Sequence, residues 1–150
     1  MKVSRRGVAD LLLSLLFLYA SFWIYELSNY AAFSIVGLSA TISLAGALPS
    51  GVASVSSAGQ QLMLVKPIQV GLSCGAAGSI YYVARRSGAT ISSLAAAVSL
   101  SVFAASFYWE FLSLVGPLPL ALHEGVYALL TLGGLAVMLR ADPRLKGLVW

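Results

Sequence analysis

Long apolar runs separated by short basic clusters form the main pattern along this chain. A helix needs about 20 apolar residues to cross the roughly 30 Å hydrocarbon layer of a bilayer. Four runs approach or reach that length, at residues 8–26, 66–84, 90–111 and 118–139. Between the last two, Gly116-Pro117-Leu118-Pro119 predicts a helix break and a tight turn. The pattern predicts an all-α integral membrane bundle with four transmembrane helices.

Eight of the nine basic residues border these runs in three clusters. The clusters are Lys2, Arg5 and Arg6; Arg85 and Arg86; and Arg140, Arg144 and Lys146. Short basic segments are retained on the cytoplasmic side of a membrane. Because four crossings put all eight residues on that side, we expect both termini to be cytoplasmic and the chain to be a multi-pass protein of the cell membrane.

The segment at residues 27–65 is also largely apolar, and its stretch 31–48 is nearly long enough to cross a bilayer. A fifth crossing there would divide the clustered basic residues five against three, which the positive-inside rule disfavours. We therefore expect 27–65 to be an extracytoplasmic segment or a re-entrant hairpin. An apolar segment outside the lipid needs a cover, which the bundle, the membrane surface or a partner chain could supply.

The composition limits the classes of function. Of 150 residues, 59% are hydrophobic and 9% are charged, and the mean hydropathy is +0.91; soluble domains carry about 25% charged residues. The chain has a net charge of +4. Most of its basic residues lie at the ends of apolar runs, and this position favours anionic lipid headgroups over nucleic acid as the partner. One cysteine, Cys74, excludes an internal disulfide and a Cys-x-x-Cys motif.

Small residues recur at intervals of four in the second and third runs. They are Gly71, Gly75 and Ser79 in the second, and Ala89, Ser93, Ala97, Ser101 and Ala105 in the third. Such stripes let helices approach closely in lipid. We expect the two helices to pack together along these stripes; the alternative is a seam between two copies of the chain.

Ionisable residues from four segments converge at one depth near the extracytoplasmic boundary. At 1.5 Å per residue, Glu26, Lys66, Glu110 and His123 each lie about 25–36 Å from the basic cluster of their own run. Gln69 and Glu124 belong to the same layer. Charges inside spans are costly and raise a functional question; at the interface they can also simply reach water or headgroups.

This layer is the only candidate site that the sequence offers. Glu110, His123 and Lys66 are candidates for general acid/base chemistry. Glu26, Gln69 and Glu124 are candidates for binding the headgroup of a lipid or quinone, and the cofactor is otherwise unknown. One histidine beside Glu124, with no second histidine, lacks the spacing of a metal motif, so no metal is expected. The alternative is a purely structural interfacial layer.

The N-terminal sequence Arg5-Arg6-Gly7-Val8-Ala9-Asp10, followed by an apolar run, resembles the archaeal class III signal of pilins and related filament proteins. The resemblance covers about twenty residues and implies a filament subunit. The chain then departs from that family, because a pilin continues into a single Thr/Asn-rich β-domain, whereas three more apolar runs follow here.

No catalytic motif is present, so the function is predicted from size and pattern. We expect a structural or accessory subunit of a larger integral-membrane complex of respiratory or transport type, with membrane lipids and other membrane-protein subunits, or a second copy, as partners. The alternatives are a lipid- or quinone-directed membrane enzyme, a small oligomeric transporter or channel, and a pilin-like filament subunit. An enzyme is the less favoured class.

Overall fold

The computed structural model describes residues 5–54, 59–112 and 119–144. Four helices and one hairpin account for most of them: α1 (Arg5–Ile35), β1 (Ala40–Ala45), β2 (Leu48–Ser54), α2 (Gly59–Ser87), α3 (Thr90–Leu112) and α4 (Leu120–Ala141). Helix makes up 82% of the described chain, which confirms the helical class. The β-hairpin is an addition to it. Of the turn predicted at 116–119, only Pro119 lies among the described residues.

The first two helices are longer than the predicted spans. α1 continues nine residues beyond 26, and α2 begins seven residues before 66, so only the hairpin and its connections remain of the segment 27–65. α1 ends at Ile35, and two residues later Gly37 has a φ of 79°, which only glycine reaches easily. The N–H of Leu38 donates to the carbonyl of Phe33 (2.9 Å), and that of Gly37 to the carbonyl of Ser34 (3.1 Å). These two hydrogen bonds pair main-chain carbonyls of the last helical turn and so close the end of the helix.

Three of the described helices are long and apolar enough to cross a membrane: α1, residues Thr90–Tyr108 of α3, and α4. α2 has 29 residues but is not among them. Its first half carries Gln60, Gln61, Lys66 and Gln69, and its second half is rich in glycine and serine. α2 is long enough to cross, because its length exceeds the roughly 20 residues that a crossing needs. It therefore differs from the other three helices in its polarity.

α3 lies at the centre of the bundle. Within its apolar stretch 56% of residues are buried, against 11% for α1 and 6% for α4. α3 packs against all three other helices, and α1 also packs against α2. Among the described residues α1 and α4 do not pack against each other, so a gap remains between them on one side of α3.

The predicted packing of the two small-residue stripes is wrong for α2. Gly71, Gly75 and Ser79 are exposed, and a Cβ added at either glycine would meet nothing within 4 Å. The bundle-facing stripe of α2 instead contains Gln69, Ser73 and Ala77, all completely buried. Ser73 and Ala77 are small residues four positions apart, as are Gly71 and Gly75. Residue size alone therefore could not decide which of the two stripes packs against the bundle.

The small-residue stripe of α3 is buried, but part of it faces α4. A Cβ added at Gly134 would lie 3.3 Å from the hydroxyl oxygen of Ser101. The Ser101 hydroxyl also donates to the carbonyl of Ala97 at 2.9 Å, which keeps it close to its own helix. Gly134 therefore permits the close approach of α3 and α4, in the manner of small-residue contacts in membrane bundles.

Asp10 of α1 caps the N-terminus of α3. Its carboxylate accepts hydrogen bonds from the main-chain N–H groups of Ile91 (2.8 Å) and Ser92 (2.9 Å) and from the Ser92 hydroxyl (2.6 Å). The first N–H groups of a helix have no partner within it and carry the positive end of the helix dipole. One side chain of α1 thus provides hydrogen-bond acceptors for two of the main-chain N–H groups at the start of α3.

Asp142, which follows α4, makes a second connection at the same end of the bundle. Only 1% exposed, it lies 3.4 Å from Nε of Arg85 and accepts a hydrogen bond from the Tyr81 hydroxyl at 3.2 Å. Arg144 donates through Nη1 to the carbonyl of Arg85 at 2.6 Å. The start of α1, the α2–α3 turn and the end of α4 therefore meet at one end, here called the basic end.

The hairpin folds back along α1 from the opposite end, here called the hairpin end. β1 and β2 are antiparallel and joined by Gly46-Ala47, with a register irregularity at Ser43/Leu44. At the tip, the Tyr19 hydroxyl donates to the carbonyl of Ala47 at 2.7 Å. At the base, a cluster of Ala32, Phe33 and Val65 packs against Val52 and other hairpin residues. The hairpin is thus fixed to α1 at both ends.

Candidate functional site

A cavity of about 790 Å³ opens between α1, α3 and α4 at the hairpin end. We call it the lateral groove. It is lined by Leu18, Ser21, Phe22, Tyr25, Glu26, Pro49, Val98, Ser99, Val102, Phe103, Ser106, Glu124 and Tyr127. Its volume lies within the range of sites that bind small organic molecules, about 300–1,000 Å³.

The groove follows from the way the helices pack. α1 and α4 each lie against α3 without packing against each other, and the space between them is the groove. Phe22, one of its wall residues, is 57% exposed, so the groove is open at its side. Pro49 of β2 is buried and contributes the hairpin to the lining.

Two carboxylates, Glu26 of α1 and Glu124 of α4, line the groove, and no described lining residue is basic. Glu124 is exposed, and no ion pair of its side chain occurs among the described residues. Glu26 is half-buried and takes part in a further interaction within the protein. The groove therefore has an acidic character that two different helices supply.

Most of the groove hydroxyls are hydrogen-bonded to the helix backbone. Ser21 donates to the carbonyl of Leu18 (2.6 Å), and Ser106 donates to that of Phe103 (2.7 Å). The hydroxyl of Tyr127 donates to the carbonyl of Val102 at 3.5 Å. Since each hydroxyl has only one proton to donate, these three offer the groove acceptors rather than donors.

Lys66 and Gln69, two other predicted site residues, pair along one turn of α2. Nζ of Lys66 donates to Oε1 of Gln69 at 3.3 Å. The Gln69 side chain is fully buried, and its Nε2 has no hydrogen-bond partner among the described residues. Neither residue lines the lateral groove.

His123, the predicted acid/base candidate of α4, is 7% exposed and faces α3. The Tyr108 hydroxyl lies 3.3 Å from its Nδ1, and the two ring centroids are 5.9 Å apart. The side chain of Glu110, the third candidate, lies outside the described residues. Within the described part of the chain, no group of three or more His, Cys, Asp or Glu residues could hold a metal ion.

The predicted layer thus contains separate contacts rather than one described cluster. Glu26 and Glu124 share the groove, Lys66 and Gln69 share a turn, and His123 pairs with Tyr108.

Four aromatic residues that line the groove were not predicted as site residues: Phe22, Tyr25, Phe103 and Tyr127. Tyr25 and Phe103 stack with centroids 5.6 Å apart. Leu18, Phe22, Tyr25 and Glu26 follow the spacing of one helix face, and this signal could have grouped them.

Comparison with models of protein families, with curated proteins and with solved structures found no match. No residue of this chain therefore takes a role from a relative. The lateral groove and the hairpin are the two features of its own geometry from which a function is inferred.

Proposed function

We infer that this chain is a four-span membrane protein that acts as a subunit of a larger integral-membrane assembly. The observation that carries the inference is the hydrogen bond between Tyr19 of α1 and Ala47 at the hairpin tip, from which the depth of the tip is inferred. The basic residues supply the reference level for that depth, because they mark the cytoplasmic boundary of the membrane.

The contacts at the basic end support four crossings. Asp10 joins the start of α1 to the start of α3, and Asp142 joins the end of α4 to Arg85 at the end of α2. All the described clustered basic residues belong to these helix ends. If that end is cytoplasmic, α2 crosses as well. Its polar and small residues are then accommodated because one of its faces is buried against the bundle.

The hairpin tip lies below the opposite membrane boundary in this arrangement. Tyr19, which holds the tip, is thirteen residues from Arg6, or about 20 Å along the helix. The hydrocarbon layer is about 30 Å thick. The Gly46-Ala47 tip therefore lies about 10 Å inside it, as a re-entrant hairpin.

A two-stranded hairpin at that depth needs protein around it. In the part of the chain that the structure describes, each strand has an outer edge without a strand partner. Unpaired main-chain polar groups cost several kcal/mol each in hydrocarbon. Non-helical backbone at membrane depth is tolerated only when protein or a water-filled cavity covers it. The exposed residues of β1, Leu44 among them at 60%, therefore lie where we expect a partner subunit.

A second surface is consistent with assembly. The face of α2 that carries Gly71, Gly75 and Ser79 is exposed and has no bulky side chain at those three positions. A helix of another subunit, or of a second copy, could approach this face closely.

Photo-crosslinking in native membranes tests the assembly. A photoreactive amino acid at Leu44 should give an adduct with a protein of defined mass, which mass spectrometry identifies. The matched control is Leu132 of α4, which is 62% exposed and should face lipid. A chain that remains monomeric in mild detergent and gives only lipid adducts from Leu44 would contradict the proposal.

Cysteine labelling tests the four crossings. In a Cys74→Ser background, Thr41→Cys on β1 and Ser87→Cys at the end of α2 are both exposed positions. An impermeant maleimide should label Thr41→Cys from outside the cell and Ser87→Cys only after the membrane is opened. Labelling of both from the same side would overturn the crossing of α2.

A further inference from the structure

We propose that the lateral groove is a binding site for a lipophilic organic cation, a molecule with an apolar or aromatic body and a single positive charge. The proposal rests on the shape, the charge and the hydrogen-bonding capacity of the groove. It is independent of whichever subunit covers the hairpin.

The groove has a charged end and an apolar end. Along α1 its lining runs from Leu18 to Glu26, eight residues or about 12 Å of helix. Leu18 and Val98 lie at the end nearer the middle of the bundle, whereas Glu26 and Glu124 lie at the hairpin end. A ligand that fits this gradient has its charge at the hairpin end and its apolar body towards the centre of the membrane.

The charge of the groove selects a cation. Its described lining has two carboxylates and no basic side chain. Away from bulk water, an opposite charge is attracted far more strongly than at a protein surface, because the effective dielectric constant is lower. The faces of aromatic rings attract cations as well, and Phe22, Tyr25 and Phe103 provide such rings in the groove.

The hydrogen-bonding capacity disfavours the other membrane ligands. The carbonyl oxygens of a quinone and the phosphate of a lipid both need donors. Ser21, Ser106 and Tyr127 already direct their hydroxyl protons to main-chain carbonyls. The two carboxylates of the lining are acceptors when ionised, and they would repel a phosphate.

The route of entry is lateral. α1 and α4 do not pack against each other in the described structure, and Phe22 and Leu18 at the opening are 57% and 38% exposed. An apolar cation that has partitioned into the membrane can therefore reach the groove between the two helices without crossing the bundle.

Binding of tetraphenylphosphonium to the full chain in lipid nanodiscs tests the site, with tetraphenylborate, an anion of nearly the same shape, as the matched probe. Partition into lipid is subtracted with empty nanodiscs. We expect saturable binding of the phosphonium and at least tenfold weaker binding of the borate. Equal binding of the two ions, or no saturable binding of the phosphonium, would overturn the proposal.

Three variants locate the binding. Glu124→Gln keeps the shape of the side chain and removes its charge, and it should weaken phosphonium binding at least tenfold. Asp142→Asn removes one negative charge at the basic end and should leave the affinity unchanged. Val98→Phe fills the apolar end of the groove without changing the charge, and it should also weaken binding.

Folding is checked for each variant by its elution profile and its helical circular dichroism. If Glu124→Gln misfolds, Val98→Phe carries the test. Unchanged affinity in a folded Glu124→Gln or Val98→Phe variant would contradict the assignment. An equal loss in Asp142→Asn would contradict it as well, because the loss would then come from net charge rather than from the groove.

Discussion

The two ends of the bundle use carboxylates in opposite ways. At the basic end, Asp10 accepts three hydrogen bonds from α3, and Asp142 is held by Arg85, Tyr81 and the main chain of Arg144. At the hairpin end, Glu26 and Glu124 line an open groove. The acids of the basic end join helices to one another, whereas those of the hairpin end border a space that a ligand can enter.

This difference shows how the carboxylate group serves two purposes in a chain with only five acidic residues. A carboxylate placed at a helix N-terminus or against an arginine contributes to stability because its partners are part of the fold. An exposed carboxylate at the border of a groove, such as that of Glu124, contributes little to folding and keeps its capacity to bind. Mutations at the two ends should therefore have different effects, and the predictions below are ordered by the expected size of the effect on stability.

Asp10→Ala should have the largest effect. It removes the cap of α3 and three hydrogen bonds to a charged acceptor, so we expect a loss of about 2–4 kcal/mol in the free energy of unfolding. Unfolding by sodium dodecyl sulfate in mixed micelles, followed by tryptophan fluorescence, measures it. Ser14→Ala is the control, since the Ser14 hydroxyl donates only to the carbonyl of Leu11 in its own helix. Equal stability of the two variants would contradict the capping role of Asp10.

Gly134→Val should destabilise the protein by about 1–3 kcal/mol, because overpacking a close helix contact costs that much. A Cβ at this position already lies 3.3 Å from the Ser101 hydroxyl. The neighbouring Gly133 meets nothing within 4 Å, so Gly133→Val should be nearly neutral in the same assay. The reverse order of the two variants would mean that α4 packs on α3 through another face.

Asp142→Asn should cost about 1–2 kcal/mol. The Arg85 side chain is 45% exposed, so solvent screening reduces the value of this ion pair. Tyr81→Phe removes only one hydrogen bond to the same carboxylate and should cost about 1 kcal/mol or less. In a double-mutant cycle of Tyr81→Phe with Asp142→Ala the two effects should not add, because both variants remove the same contact. Additive losses would show that Tyr81 and Asp142 act independently.

Glu124→Gln should have the smallest effect on folding, within about 0.5 kcal/mol of the parent protein, as expected for an exposed side chain. The same unfolding assay measures it. A loss as large as that of Asp142→Asn would place Glu124 among the residues that hold the fold and would remove the contrast between the two ends.

The sequence predicted the helical membrane class, and the structure brings Arg5, Arg85 and Arg140 to one end as the basic clusters indicated. Periodicity and charge were sufficient for this because span length and the position of arginines are local properties. The membrane sidedness of that end stays a prediction.

The helix contacts and the groove could not be predicted in the same way. Gly71-x-x-x-Gly75 and Ser73-x-x-x-Ala77 are both pairs of small residues, and only the packing against α1 and α3 selects the second. The groove depends on the gap between α1 and α4, which is a property of three helices together. The capping role of Asp10 also needed the position of the α3 N-terminus, since Ile91, one of its partners, is 81 residues away in the sequence.

Thermal unfolding with and without tetraphenylphosphonium tests the contrast between the two ends most directly. A ligand at one hundred times its dissociation constant stabilises the folded state by about 2.7 kcal/mol. We expect this gain for the parent protein and for Asp142→Asn, which starts from a lower stability. At the same ligand concentration Glu124→Gln, which starts from the parent stability, should gain about 1.4 kcal/mol or less, because its affinity is at least tenfold weaker. An equal ligand-induced gain in all three proteins would contradict the account.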